Sequence, residues 1–162
     1  MNMADIANSI YESSISLGIR ELGWLIPTVQ SIHIVSLALL FGSALAMELR
    51  LMSVFAGDVP VGDVVRRHLP WLWGALVALL ATGLIMVIGE PDRTLNNSLF
   101  WYKMALVFGA FVLTLSVRRP MLREGFELDT VKWAAVVKPS ALVLLLCWVA
   151  VIFCGRWIAY VV

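Results

Sequence analysis

The chain has 162 residues, of which 61% are hydrophobic and 14% are charged, and its formal net charge is +1. Soluble domains are roughly half apolar and about a quarter charged, so this composition predicts a membrane protein. The sequence has no basic block, which excludes the electrostatic footprint of a nucleic-acid-binding protein. It also lacks a glycine-rich phosphate loop, a zinc-protease motif and a nucleophile with a base, which excludes the hydrolase and kinase classes.

The first segment predicts a helix that lies on the membrane surface. Residues 4–21 place Ile6, Ile10 and Leu17 at helical spacing among polar residues, which is typical of an interfacial amphipathic helix. The first basic residue, Arg20, follows two acidic ones, which is not the charge order of a secretory signal peptide. We therefore expect residues 1–162 to form a single membrane domain.

Four apolar runs of about 20 residues, each long enough to cross the hydrocarbon of a bilayer, lie at about residues 24–47, 70–89, 99–117 and 139–160. Pro27 and Pro70 are expected in first turns, and Asn97 or Ser98 as the cap of the third span. Residues 128–138 form a second amphipathic segment. The predicted fold class is an all-α membrane protein, a bundle of four transmembrane helices with an N-terminal interfacial helix.

Basic residues predict the orientation of the bundle. Most of them lie in or beside the first and third connections: Arg50, Arg66, Arg67, Arg118, Arg119, Arg123, Lys132 and Lys138. By the positive-inside rule these connections are cytoplasmic, and both termini face the outside, or the periplasm in a bacterium. We expect a multi-pass protein of the bacterial inner membrane whose first partner is the lipid bilayer.

Short motifs across most of the chain resemble an uncharacterised bacterial family of small four-helix inner-membrane proteins. The motifs are Ile19-Arg20-Glu21, Trp24, Pro27, His33, Gly42, Glu48-Leu49-Arg50-Leu51, and the segments LPWLWGALVALLATGL and NNSLFWYKMALV. The chain departs from the family pattern at Glu48, where Asp is usual, and at Asn97-Ser98, where Asn-Pro is usual. That family has no settled activity. It is distantly similar to copper-resistance D membrane proteins and to four-helix b-type cytochromes, so the resemblance implies haem or copper.

His33 is the principal candidate for a cofactor ligand. It lies about six to nine residues inside the first span, too deep for its short side chain to reach the membrane surface at 1.5 Å per residue. Ionisable residues at such depth are functional candidates, and neutral imidazole is the commonest metal ligand in proteins. A structural histidine bonded to a hydroxyl or carbonyl group is the alternative, and it stays open.

Three sulfur-containing residues are predicted at the depth of His33. Met86, Met104 and Cys154 fall within about one helical turn of its level. A haem b with His/Met ligation, or a thioether-rich Cu(I) site, needs such a layer. Methionines that merely fill the core are the alternative.

Two cations at the same end, Lys103 and Arg156, are membrane anchors, or partners of haem propionates if haem is bound.

The remaining polar candidates lie near the opposite end of the spans. Glu48 and Arg50 are expected to snorkel or to cap the first long helix with its loop, and a proton- or substrate-handling role is the alternative. His68 is predicted roughly 20 Å from His33 along the membrane normal, which makes the two histidines a poor axial pair for one haem. His33 would instead pair with sulfur, or with its equivalent in a homo-oligomer.

The leading hypothesis is a small b-type haem redox protein that passes electrons between quinol and a periplasmic partner. An oxidoreductase-type activity follows only if haem is bound. One alternative is a copper-binding or copper-transporting membrane protein that uses His33 with Met86, Met104 or Cys154. The other is a non-catalytic accessory subunit of a larger membrane complex, without a cofactor.

Overall fold

The computed structural model describes residues 2–54, 57–122, 131–158 and 160, and all regular structure in those ranges is helical. The helices are α1 (Met3–Tyr11), α2 (Ser14–Glu21), α3 (Leu25–Leu51), α4 (Val61–Gly89), α5 (Pro91–Leu95), α6 (Ser98–Met121) and α7 (Val131–Trp157). This architecture confirms the all-α fold class.

Four of these helices are long and apolar enough to cross a membrane. The qualifying segments are Leu25–Leu51, Val61–Gly89, Ser98–Arg119 and Ala135–Trp157. Many large apolar side chains along them are exposed, as expected of helices whose solvent is lipid rather than water. The predicted four-span, multi-pass bundle is therefore confirmed, whereas the side on which the termini lie stays a prediction.

Two of the long helices, α4 and α7, begin well before the predicted apolar runs. Helix α4 starts at Val61, so Pro70 lies in the helix interior rather than in its first turn. Pro139 likewise lies inside α7, which is continuous from Val131. Residues 131–138 therefore belong to α7, and residues 128–130 of the predicted amphipathic segment lie outside the described residues. Membrane helices tolerate internal prolines because neighbouring groups satisfy the freed carbonyls.

Two helix starts agree with the sequence prediction. Pro27 occupies the first turn of α3, where its missing N–H costs nothing. Asn97 caps α6, because its side-chain oxygen accepts a hydrogen bond from the backbone N–H of Leu99 at 2.9 Å.

The N-terminal segment is two short helices rather than the single helix expected over residues 4–21. Ser13 has an extended backbone, and its hydroxyl oxygen accepts a hydrogen bond from the N–H of Ser16 at 3.2 Å, which starts α2 anew. Arg20 ties α2 to α1: its guanidinium lies 3.5 Å from the ring centroid of Tyr11 and donates to the Tyr11 carbonyl at 2.8 Å.

The bundle consists of two helix pairs. Helix α3 packs most extensively on α4, and α6 on α7, whereas the contact between α4 and α6 is sparse. We call the end where α3 begins the His33 end and the opposite end the Glu48 end. The buried core is concentrated towards the Glu48 end, where α3 contributes Leu40, Ala44, Met47 and Leu51. The His33 end is therefore the more loosely packed half.

Candidate functional site

At the His33 end, a hydrogen bond between α3 and α4 holds the imidazole of His33. Its Nδ1 lies 2.7 Å from the hydroxyl oxygen of Thr82. Thr82 is buried, and its hydroxyl also lies 2.7 Å from the carbonyl oxygen of Ala78, one turn earlier on α4. His33 is half-buried, so the pair forms a polar contact well inside the apolar part of the bundle.

These hydrogen bonds assign the proton of the His33 imidazole to one nitrogen. The hydroxyl group of Thr82 has backbone carbonyl oxygens of its own helix to donate to, so its oxygen is free to accept from His33. This assignment places the proton of the neutral imidazole on Nδ1 and the lone pair on Nε2. Among the described residues no hydrogen bond to Nε2 is formed. Metal-bound histidines commonly show this arrangement, with the second nitrogen held by another side chain.

Two further helices bring side chains to this layer. Lys103 on α6 lies close enough to His33 for their charges to interact. Its ammonium nitrogen approaches the backbone of α7 at Gly155, where an added Cβ would lie 3.3 Å away. Cys154 is within electrostatic range of the same ammonium group. Lys103 thus lies beside the Cys154–Gly155 segment, and its charge reaches His33; we call His33, Thr82, Lys103 and Cys154 the His33 cluster.

Glycine makes room beside the imidazole. A Cβ added at Gly83 would lie 3.7 Å from Cε1 of His33, which is ordinary van der Waals distance. A methyl group would therefore fit there without a clash, and Gly83 leaves a space of that size beside the ring.

The other predicted residues at this end are placed differently. Met86 follows Thr82 by four residues and so shares the side of α4 that faces His33, and Met104 is half-buried on α6. Arg156 instead turns away to the surface, where it donates to the hydroxyl of Tyr160 at 2.5 Å and lies over its ring. Among the described residues, no group of three or more His, Cys, Asp or Glu side chains is arranged to hold a metal ion.

At the Glu48 end, an ion pair joins the two helix pairs. Arg118 on α6 donates from Nη2 to Oε1 of Glu48 on α3, and the side chains are 1% and 2% exposed. Oε2 of Glu48 and both Nε and Nη1 of Arg118 are buried without a hydrogen-bond partner among the described residues. A buried, incompletely satisfied charge pair is costly in an apolar medium, so these side chains form a second candidate site.

This ion pair differs from the sequence expectation for Glu48. The carboxylate neither snorkels to the membrane surface nor caps the helix with the first loop, because it points inward to α6. Arg118 was predicted only as one of the basic residues beside the third connection. The sequence does show an acidic and a basic residue at matching depth on two helices. It does not show whether the helix faces that carry them meet.

Arg50 and His68 form hydrogen bonds to nearby backbone carbonyl oxygens, as structural residues do. Arg50 donates to the carbonyl oxygens of Val59 at 2.7 Å and Gly57 at 3.3 Å, and so fastens the first loop as expected. Nδ1 of His68 lies 2.9 Å from the carbonyl oxygen of Val64 in its own helix. Thr82, the partner of His33, lies about 20 Å further along α4 at 1.5 Å per residue, which agrees with the expected separation of the histidines.

Comparison with known proteins identifies a family but no activity. A family model described as "Family of unknown function (DUF6644)" matches residues 16–161, and the chain belongs to this family. No curated protein matches the chain, and neither does any solved structure. The distant likeness to copper-resistance D proteins and b-type cytochromes stays a prediction from sequence motifs.

Proposed function

We propose that this membrane protein binds a b-type haem at the His33 end and acts as a small electron carrier. The observation that carries the proposal is the state of His33, whose Nδ1–H is held by Thr82 while Nε2 offers a lone pair. With this arrangement His33 would be able to hold haem iron through Nε2, since imidazole ligands are commonly oriented by a hydrogen bond from their other nitrogen. Haem iron, when bound, would supply reversible one-electron transfer.

Three features near His33 support haem. Thr82 orients the imidazole, and Gly83 leaves space along its edge. Lys103 supplies a cation that pairs with a propionate. Met86 and Met104 remain the candidates for a second axial ligand, and Arg156 is a weaker propionate partner because Tyr160 already engages it.

Copper is supported less well than haem by the same geometry. The ammonium group of Lys103 lies within electrostatic range of His33, and a cation beside the ligand disfavours a bare Cu(I) ion. Haem brings its own carboxylates, so the same lysine favours it. The quinol donor, the periplasmic acceptor and assembly into a homo-oligomer or larger complex stay predictions from the sequence.

Absorption spectra of the purified protein, oxidised and then reduced with dithionite, test the proposal. We expect a Soret band that shifts and sharpens on reduction, in the protein as isolated or after titration with haemin. His33→Leu should abolish the band. His68→Leu is the matched control, because it removes the other histidine at the opposite end and should leave the band unchanged.

A second variant separates loss of the ligand from loss of the fold. His33→Gly creates a cavity that added imidazole can enter, so imidazole should restore the Soret band if His33 is the axial ligand. A folded protein that binds no haemin would overturn the proposal. Stoichiometric copper on metal analysis would then favour the copper alternative, and no metal at all would favour an accessory subunit.

A further inference from the structure

The ion pair at the Glu48 end presents more hydrogen-bonding capacity than the surrounding protein uses. Arg118 is 1% exposed and has unpartnered Nε and Nη1 atoms, and Glu48 is 2% exposed and has an unpartnered Oε2. Buried polar atoms in native proteins are almost always bonded to protein or to ordered water. Three unpartnered atoms of two charged groups at one place therefore point to a partner outside the described protein groups.

The chemistry of the three atoms restricts what the partner can be. The guanidinium nitrogens need acceptors, whereas the carboxylate oxygen needs a donor. A simple anion such as chloride would satisfy Arg118 but would be repelled by Oε2 of Glu48. A metal cation would be repelled by the guanidinium. Water both accepts and donates, so it satisfies both members of the pair at once.

We propose that the Glu48–Arg118 pair is a water-binding site inside the membrane-spanning bundle. The site supplies the two to four polar partners that a buried water needs. Thr114 and Ser43 add buried hydroxyl groups near this end of α6 and α3, with Thr114 one turn from Arg118 on the same side of the helix. The proposal does not depend on haem binding at the His33 end.

Trp148 is an internal control, a buried polar group at which no water is expected. Nε1 of Trp148 on α7 is also buried without a partner, and Trp148 is 3% exposed. This single N–H group has buried apolar neighbours on its helix face, among them Leu144 and Val151. One neutral donor in an apolar surrounding does not hold a water molecule. We therefore expect hydration at Arg118 and none at Trp148.

Water-edited solid-state NMR of the protein in lipid bilayers tests the proposal. With arginine and tryptophan labelled with ¹⁵N and glutamate with ¹³C, Arg118 is identified by the through-space contact of its guanidinium with a glutamate carboxyl carbon. The exposed Arg93–Glu90 pair, 3.2 Å apart, gives the same type of contact. A soluble paramagnetic agent removes its signal and leaves that of the buried pair.

The expected result is rapid transfer of water magnetisation to Nε of Arg118 in the presence of the agent, with no transfer to Nε1 of Trp148. Equal, negligible transfer to both groups would overturn the proposal, because the ion pair would then be dry. Arg118→Lys should remove the assigned signal, which confirms the assignment. Glu48→Gln keeps the guanidinium of Arg118, so the transfer of water magnetisation to it can be measured a second time. If neither variant folds, the through-space contact alone still assigns Arg118.

Discussion

The two ends of the same four helices solve the problem of a polar group in an apolar bundle in different ways. At the His33 end the polar contact is neutral, and a single threonine satisfies the imidazole while leaving one nitrogen available. At the Glu48 end the contact is a charge pair enclosed by buried core side chains. The first arrangement leaves one ring nitrogen without a hydrogen bond among the described residues, whereas the second fastens α3 to α6.

The largest effect is expected from leaving one charge of the ion pair without its partner. Glu48→Leu should lower the free energy of unfolding by about 3–5 kcal/mol, because the guanidinium of Arg118 would stay buried and unpaired. Unfolding of the purified protein in mild detergent, followed by circular dichroism, measures this loss.

The double variant Glu48→Leu/Arg118→Met is the matched control. It replaces both charges with apolar side chains of similar size, so it should recover most of the lost stability. A double variant that is less stable than Glu48→Leu alone would contradict this account of the Glu48 end.

A smaller effect is expected at the neutral pair. Thr82→Val keeps the shape of the side chain but removes the acceptor for Nδ1–H of His33, which should cost roughly 1–3 kcal/mol. Thr82→Ser retains the hydroxyl group and should stay close to the wild type. The same unfolding measurement compares the two variants, and equal stability would show that this hydrogen bond does not hold His33.

Arg50 lies only two residues from Glu48 in sequence, so the two positions compare an exposed charge with a buried one. Its side chain is partly exposed and bonds loop carbonyls, so Arg50→Ala should cost about 1 kcal/mol or less. The expected site of change is the loop at residues 57–59, which limited proteolysis reports. A loss of stability as large as that of Glu48→Leu would contradict the distinction between buried and exposed charges.

The smallest effect is expected at Gly155. Alanine there would place its Cβ 3.3 Å from the ammonium nitrogen of Lys103, which is the movable end of a flexible side chain. The change in unfolding free energy should stay within about 1 kcal/mol, because the helix propensity of alanine offsets the displacement. At Gly89 an added Cβ meets Ile26 and Ile19 at 3.0 and 3.1 Å, so Gly89→Ala should be the more destabilising variant in parallel thermal melts.

Hydropathy alone was sufficient to predict the four spans and the all-α class, and local capping chemistry predicted Asn97 or Ser98 as the cap of the third span, of which Asn97 is used. A backbone in hydrocarbon has to satisfy its own hydrogen bonds, so an apolar run of this length leaves the helix as the available structure. The helix starts were harder to predict, because the turns before Pro70 and Pro139 contain charged residues and continue the helix beyond its apolar part. The break at Ser13 depended on one local capping hydrogen bond.

The partners of the candidate residues were decided by tertiary structure. The sequence indicated the depth of His33 and of Glu48, since depth follows from counting residues along a helix. It did not indicate that His33 meets Thr82 or that Glu48 meets Arg118. In a soluble helix one apolar face shows which side turns inward, but these spans are apolar on all sides. Their rotation about the helix axis is therefore determined by packing between helices, and that packing brings the polar side chains together.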